Sequence, residues 1–255
     1  MSHAEFVRKI TGSRKPVIGV LLGGSGHRDG SEIQESVLAL LSIEAAGGIP
    51  RCFSFDLPQT RVLNHVTGDA SSETRNMLTE SARIARGRIE NALSFQTPAK
   101  LVDGIDGLLV PGGSGIAANF CDFASRGAEM QVNDFVAGIL VAAAAARKPV
   151  GAICIAPLLV ARVLGALPAK ASQHAPALKL TLGPDGGAAV SAARSWGIGP
   201  QPCGPQEVCE DAEHRIVTTP AYMHADATLE QVSAGIMQLG RVLVDWSRAV
   251  VRRNA

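Results

Sequence analysis

Gly151-Ala-Ile-Cys154-Ile-Ala-Pro157 holds a cysteine at the end of a short apolar run, with a proline three residues on. A strand that turns straight into a helix there projects the cysteine sulfur. The next backbone N–H groups and the helix dipole then favour its thiolate. Pro157 suits a first helical turn, where its missing N–H costs nothing. That is the logic of a nucleophile elbow. A small buried cysteine packed like an alanine fits the same residues. Pro111-Gly-Gly-Ser-Gly115 closes another apolar run. Glycines after a strand let backbone N–H groups approach an oxyanion, or a phosphate. No GxxxxGK[ST] stretch is present, and Gly23-Gly-Ser-Gly26 lacks the GxGxxG spacing.

A nucleophile needs an acid or base beside it. Glu35 and Glu32 lie at the start of the first helix, where glutamates also serve as ordinary dipole partners. A glutamate beside a buried cysteine is expected to be protonated. Of six histidines, His27, His65 and His224 stand near glycine or proline turns that could reach a site, whereas His3, His174 and His214 lie in polar loops.

The elements that must position these residues alternate. The run from Lys15 to Leu22 predicts a strand buried on both faces. A helix over 31–46 follows, with Ser31 as its cap, Ile33, Val37, Leu40 and Leu41 at helical spacing, and Gly47-Gly48 as its stop. Ile49 to Phe55 is the next strand, which completes a βαβ unit and a parallel sheet. A polar helix is expected over 72–85. Strands are expected over 105–110, 149–154, 177–182 and 216–219, and helices over 132–146, 157–164 and 226–250. Ligands bind at the carboxyl ends of such strands, where the two glycine turns and Cys154 fall.

The chain has 255 residues, 46% of them apolar, which is ample for one α/β domain. With 24 basic against 23 acidic residues and 4% aromatics, nucleic acid is an unfavourable partner. No run of about 18 uncharged apolar residues predicts a membrane span. The five cysteines are scattered without CxxC pairs or histidines at zinc spacing, which points to reduced thiols, a cytoplasmic location and no metal.

Eight segments together resemble the ElbB glyoxalase family, a branch of the ThiJ/PfpI and class I glutamine amidotransferase-like superfamily. They are Asp29-Gly-Ser-Glu-Ile-Gln-Glu35, Asn64-His-Val-Thr-Gly68, Glu73-Thr-Arg-Asn76, Ala85-Arg-Gly87, Pro111-Gly-Gly113, Asn119 with Phe123-Ala-Ser125, Cys154-Ile-Ala-Pro157 and Thr218-Thr-Pro-Ala-Tyr-Met223. They cover residues 16 to 246. The resemblance implies a flavodoxin-like three-layer α/β sandwich with a mostly parallel central sheet and Cys154 on a nucleophile elbow. It implies an N-terminal extension over 1–15 and a single domain over 16–255 with an insertion at 56–98.

The resemblance further implies a glutathione-independent glyoxalase, a lyase of the hydro-lyase type. It would convert glyoxal, a small dicarbonyl, to glycolate through a Cys154 hemithioacetal, with no cofactor. Glu35, not Glu32, maps onto the glutamate that contacts the nucleophile. The oxyanion and substrate groups map onto Gly112, Gly113, Ile155 and Asn76, and a homodimer is implied. Many superfamily members carry a histidine directly after the nucleophile; here that residue is Ile155, so the usual Cys-His dyad is impossible. His65 is then the expected base. A deglycase or other thiol hydrolase would use the same Cys154 and Glu35. A non-enzymatic redox-sensing stress protein would oxidise Cys154 without turnover.

Overall fold

The computed structural model describes residues 14–165 and 177–253. Most of the N-terminal extension, His3 and His174 lie outside the described residues. Along the chain run β1 (Val17–Leu21), α1 (Ile33–Ala45), β2 (Ile49–Ser54), α2 (Met77–Ile84), β3 (Ile89–Asn91), α3 (Pro98–Asp103), β4 (Gly107–Val110), α4 (Ile116–Asn119) and α5 (Phe123–Arg126). They are followed by α6 (Asp134–Ala145), β5 (Val150–Ile153), α7 (Pro157–Leu164), α8 (Gly187–Ser195), β6 (Cys209–Asp211), β7 (Ile216–Thr219) and α9 (Leu229–Arg253).

The strands form one seven-stranded sheet in the order β3-β2-β1-β4-β5-β7-β6. All neighbours pair in parallel except β6, which runs antiparallel to β7. Helices cover both faces, so successive strand residues bury on opposite sides. Leu108, Val110, Val150, Ala152 and Ile216 join α3, α6, α7 and α8 in one core. Ile18, Val20, Leu109, Ile153 and Val217 join α1 and α9 in the other. The described residues are thus a three-layer α/β sandwich, and no helix among them is long and apolar enough to cross a membrane.

Three expectations need correction. The segment 177–182 is not a strand. Its backbone is satisfied by side chains and a loop instead: Lys179 N donates to Asp211, Thr181 N to Thr218 Oγ1, and Gln201 N to the Leu180 carbonyl. Ser31 does not cap α1. Glu32 does so, its carboxylate accepting from Glu35 N at 2.6 Å, while Ser31 Oγ accepts from Gly23 N.

The third correction concerns which side of α1 is buried. A stripe at helical spacing ordinarily faces the core. Here Glu35, Ser36, Ala39, Ser42 and Ile43 are buried, while Ile33, Val37 and Leu41 are exposed. Close packing against α9 explains the small residues on the inner side. A side chain at Gly240 would put its Cβ 2.5 Å from Ser42 Cβ, nearer than carbon atoms approach.

Gly240→Val is therefore expected to destabilise the fold by about 1–3 kcal/mol through overpacking, which outweighs the roughly 0.3 kcal/mol gained in helix propensity. Denaturant titration checks it; an unchanged midpoint would mean that α1 and α9 separate freely at this crossing.

Candidate active site

The register of the sheet brings three strand ends together. Val110 pairs with Ala152 and Ile153 with Thr219, so continuing two residues past β4 sets Gly112 beside Cys154, with Pro220 on its other side. Cys154 has a φ of +60°, in the left-handed region that costs a residue with a Cβ about 1 kcal/mol or more. The turn is fastened by Cys154 N donating to Thr219 O and Ala156 N to Ile153 O. This is the expected elbow.

Four sequence-predicted residues join Cys154 here. Gly113 and Ile155 direct their backbone N–H groups at its sulfur. Glu35 reaches in from α1, fully buried, and Gly112 N donates to its Oε2 at 2.9 Å. Gly112 thus holds the acid and is not free to serve the oxyanion. No side chain fits there: a Cβ at Gly112 would sit 2.7 Å from Glu35 Oε2.

His65 and Asn76 are not brought to the sulfur. His65 lies over Gly26, its Nε2 3.5 Å from Asp29 Oδ1 and its ring edge-on to His27. Asn76 caps α2, accepting from Thr79 N and donating to Asp56 Oδ1. Both side chains fasten the 56–76 segment, a role that residue type alone does not separate from substrate contact. His214 is no free loop histidine: its Nδ1 bonds Asp211 at 2.8 Å. His224 meets the Cys203 carbonyl. Cys121 is buried with its thiol on the Ala117 carbonyl.

Sequence reasoning passed over two groups. Glu32 caps α1 above Glu35, and its charge raises the Glu35 pKa. Tyr222, the lone tyrosine, sits just past β7; its hydroxyl donates to Gln34 and its backbone N–H points to the Glu35 carboxyl. The signal for Tyr222 was its place after a strand end. Its neighbour Ala221 is also left-handed, with φ +44°.

The electrostatics correct one expectation. Burial, then the charge of Glu32, pushes Glu35 up to about 8. Its Oε1 accepts no hydrogen bond, which is costly for a carboxylate oxygen, and the Cys154 sulfur lies within hydrogen-bonding reach of the carboxyl. Burial, then the charge of Glu35, holds the Cys154 thiol well above its ordinary range. The amide groups of Gly113 and Ile155 oppose this and do not win. Cys154 is only 7% exposed. The resting pair is neutral thiol and neutral acid, not the preformed thiolate that the elbow alone suggested.

No family model matches the chain. It is 34% identical over 228 residues to the rat ES1 protein homolog, mitochondrial, covering 86% of this chain and 79% of that one. It is also 34% identical over 238 residues to the human glutamine amidotransferase-like class 1 domain-containing protein 3, mitochondrial, covering 89% and 82%. The chain belongs to this ES1 and amidotransferase-like class 1 family. Among solved structures, an isoprenoid biosynthesis protein with amidotransferase-like domain from Ehrlichia chaffeensis superposes with a TM-score of 0.79 at 29% identity, over 91% of this chain and 99% of that one. A Schizosaccharomyces pombe DJ-1 variant, at 14% identity, 94% and 98% coverage and a TM-score of 0.52, shares the fold. The sheet is the flavodoxin-like one of these proteins. The cytoplasmic expectation is overturned, because the ES1 relatives from rat, human and zebrafish are all named as mitochondrial. Reduced cysteines do not distinguish one reducing compartment from another.

A carboxyl whose pKa is higher folded than unfolded binds a proton on folding. Its contribution is full below the unfolded value near 4.5 and is lost as pH rises through about 8. The wild type is expected to lose up to roughly 5 kcal/mol from this group between pH 4.5 and 8. Glu35→Gln removes that slope. Urea melts of both proteins across this range check it, and parallel curves would mean that Glu35 is ionised in the folded state.

Proposed function

We propose that this chain is a cofactor-independent glyoxalase of the ElbB branch, converting glyoxal and water to glycolate with Cys154 as the nucleophile. The observation that carries the reading is a strained cysteine with two amide N–H groups at its sulfur and a buried, proton-holding Glu35 alongside. The active form is the pair after losing one proton. Glu35 takes the thiol proton as sulfur adds to one aldehyde carbon. The new C–S bond leaves an alkoxide at the amides of Gly113 and Ile155, a stabilisation of about 3 kcal/mol per good donor. Glu35 returns that proton to give the hemithioacetal.

The hydrogen on the former aldehyde carbon then leaves as a proton to Glu35, which passes it to the neighbouring carbonyl oxygen to give an enediol. Glu35 next takes the hydroxyl proton of the sulfur-bearing carbon and hands it to the neighbouring carbon. This gives a thioester of glycolate, which water cleaves to release the acid and the thiol. One carbon is oxidised and its neighbour reduced, so the electrons balance within the substrate. Glu35 replaces the base first sought in His65, which is engaged with Asp29 and His27. The low exposure of the sulfur suits a two-carbon substrate. It disfavours a redox sensor, whose thiol must be exposed and acidic.

Purified protein given glyoxal without glutathione is expected to release glycolate. Cys154→Ala should fall to background, Glu35→Gln should lose ~10²–10⁴-fold as a general acid–base group does, and His65→Ala should stay within about twofold. Wild-type turnover by Cys154→Ala would sink the nucleophile, and faster release from glycated amines than from glyoxal would favour a deglycase. Because the pair must lose a proton, kcat/KM is expected to rise about tenfold per pH unit and level off above pH about 8. A rate that falls over the same range would mean that the protonated acid is the working form.

A further inference from the structure

Asp29 is buried, and its carboxyl is only half satisfied. Oδ2 accepts from Leu63 N at 2.9 Å, while Oδ1 accepts no hydrogen bond. A buried carboxylate oxygen without a donor is costly. His65 Nε2 stands 3.5 Å from that oxygen. The two meet over Gly26, where a Cβ would lie 2.5 Å from Asp29 Oδ1 and 2.7 Å from His65 Nε2. The other ring nitrogen, Nδ1, lies 3.2 Å from the Leu63 carbonyl, which fixes it as the N–H. A neutral His65 therefore turns a lone pair towards Asp29 and accepts only a long bond from Arg28 N, at 3.4 Å. A protonated His65 gives up that bond and aims an N–H at the orphan oxygen.

The surrounding charges direct the proton to this imidazole. His27 lies edge-on to His65, with ring centroids 5.0 Å apart. Its Nε2 accepts from Arg28 Nε, which an imidazolium cannot do. Burial, then the charges of His65 and Arg28, hold His27 below its ordinary value. Arg28 and Arg61, whose guanidinium donates to the Arg28 carbonyl, oppose a further positive charge. Arg75 acts on Asp29 as well but is paired with Glu73 at 2.7 Å. Asp69 is the single acid between residues 60 and 70.

The glycine loop over 26–31 is fastened to the oxyanion turn by its own bonds, since Gly115 N and Ser114 Oγ both donate to the His27 carbonyl. The 61–70 segment reaches that loop through Leu63 N, Arg61 and His65. A change at His65 thus bears on the segment and leaves the oxyanion turn in place. We propose that a proton between His65 and Asp29 is a brace: taken up, it holds the 61–70 segment against the glycine loop, and released, it lets the segment open. The brace does not rest on the proposed reaction.

Amide hydrogen exchange of the full chain, corrected for the intrinsic effect of pH, reads the opening. Leu63, Asn64 and Gly68 are the reporters, each with its amide hydrogen-bonded. From about pH 5 to about pH 8, where imidazole changes charge, their protection is expected to fall about tenfold in the wild type. Glu35→Gln should show the same fall, which separates the brace from the Glu35 proton. In His65→Gln and Asp29→Asn, protection should be low and equal at both pH values. His65 is a third exposed, so its variant carries the test alone if Asp29→Asn does not fold. Protection that does not change with pH in the wild type would overturn the proposal. So would a fall that vanishes in Glu35→Gln, or one that persists in His65→Gln.

Discussion

A reciprocal bond at Gly112 is what the site depends on. Its N–H donates to the Glu35 carboxyl, and its carbonyl accepts from Glu32 N, each at 2.9 Å. These two contacts tie the first turn of α1 to the loop leaving β4, across 77 residues of sequence. They set the acid beside Cys154. Gly113 follows with φ +105°, a conformation that costs glycine little and other residues more. Only then can its N–H turn back on the sulfur. The chain crosses so close at both positions that side chains are excluded.

That clamp works because of what the sheet does beneath it. β4, β5 and β7 are adjacent, parallel and buried on both faces, so their carboxyl ends lie level. Each end delivers a part: the Gly113 amide from β4, the sulfur and the Ile155 amide from β5, and the turn with Tyr222 from β7. The left-handed backbone at Cys154 costs on the order of 1–3 kcal/mol. A flanking bond to Thr219 and the packed strands over-determine it. Burial then disfavours charge on both titrating groups, with no cation among the causes of either shift. The pair is consequently a proton store that gives up a proton near the upper edge of neutral pH.

α1 carries two conflicting demands. Its inner side must admit the acid and let α9 approach at Gly240, so apart from Ile43 that side is small or polar. The bulky apolar residues are displaced outward. Periodicity read along the helix identifies the stripe but not the direction it faces. The spacing of Ile33, Val37 and Leu41 is the same whether the stripe meets its own core or another molecule.

The sequence by itself determined the alternation of strands and helices, the parallel sheet and the elbow. Short continuous apolar runs closed by glycine or proline read as buried strands, and a cysteine between such a run and Pro157 fits an elbow. Glu35 was legible from the motif at the start of α1. The tertiary structure decided everything that turns on a partner far along the chain. It gave Gly112 to the acid and not to the oxyanion, engaged His65 with Asp29, and spent Asn76 on a helix cap. It also denied residues 177–182 a strand, because side chains of Asp211 and Thr218 had already met their amides. Local propensity reflects what a residue can do within a few neighbours. A pKa, a hydrogen-bond partner and the side of a helix that is buried are set by groups that only the folded chain brings together.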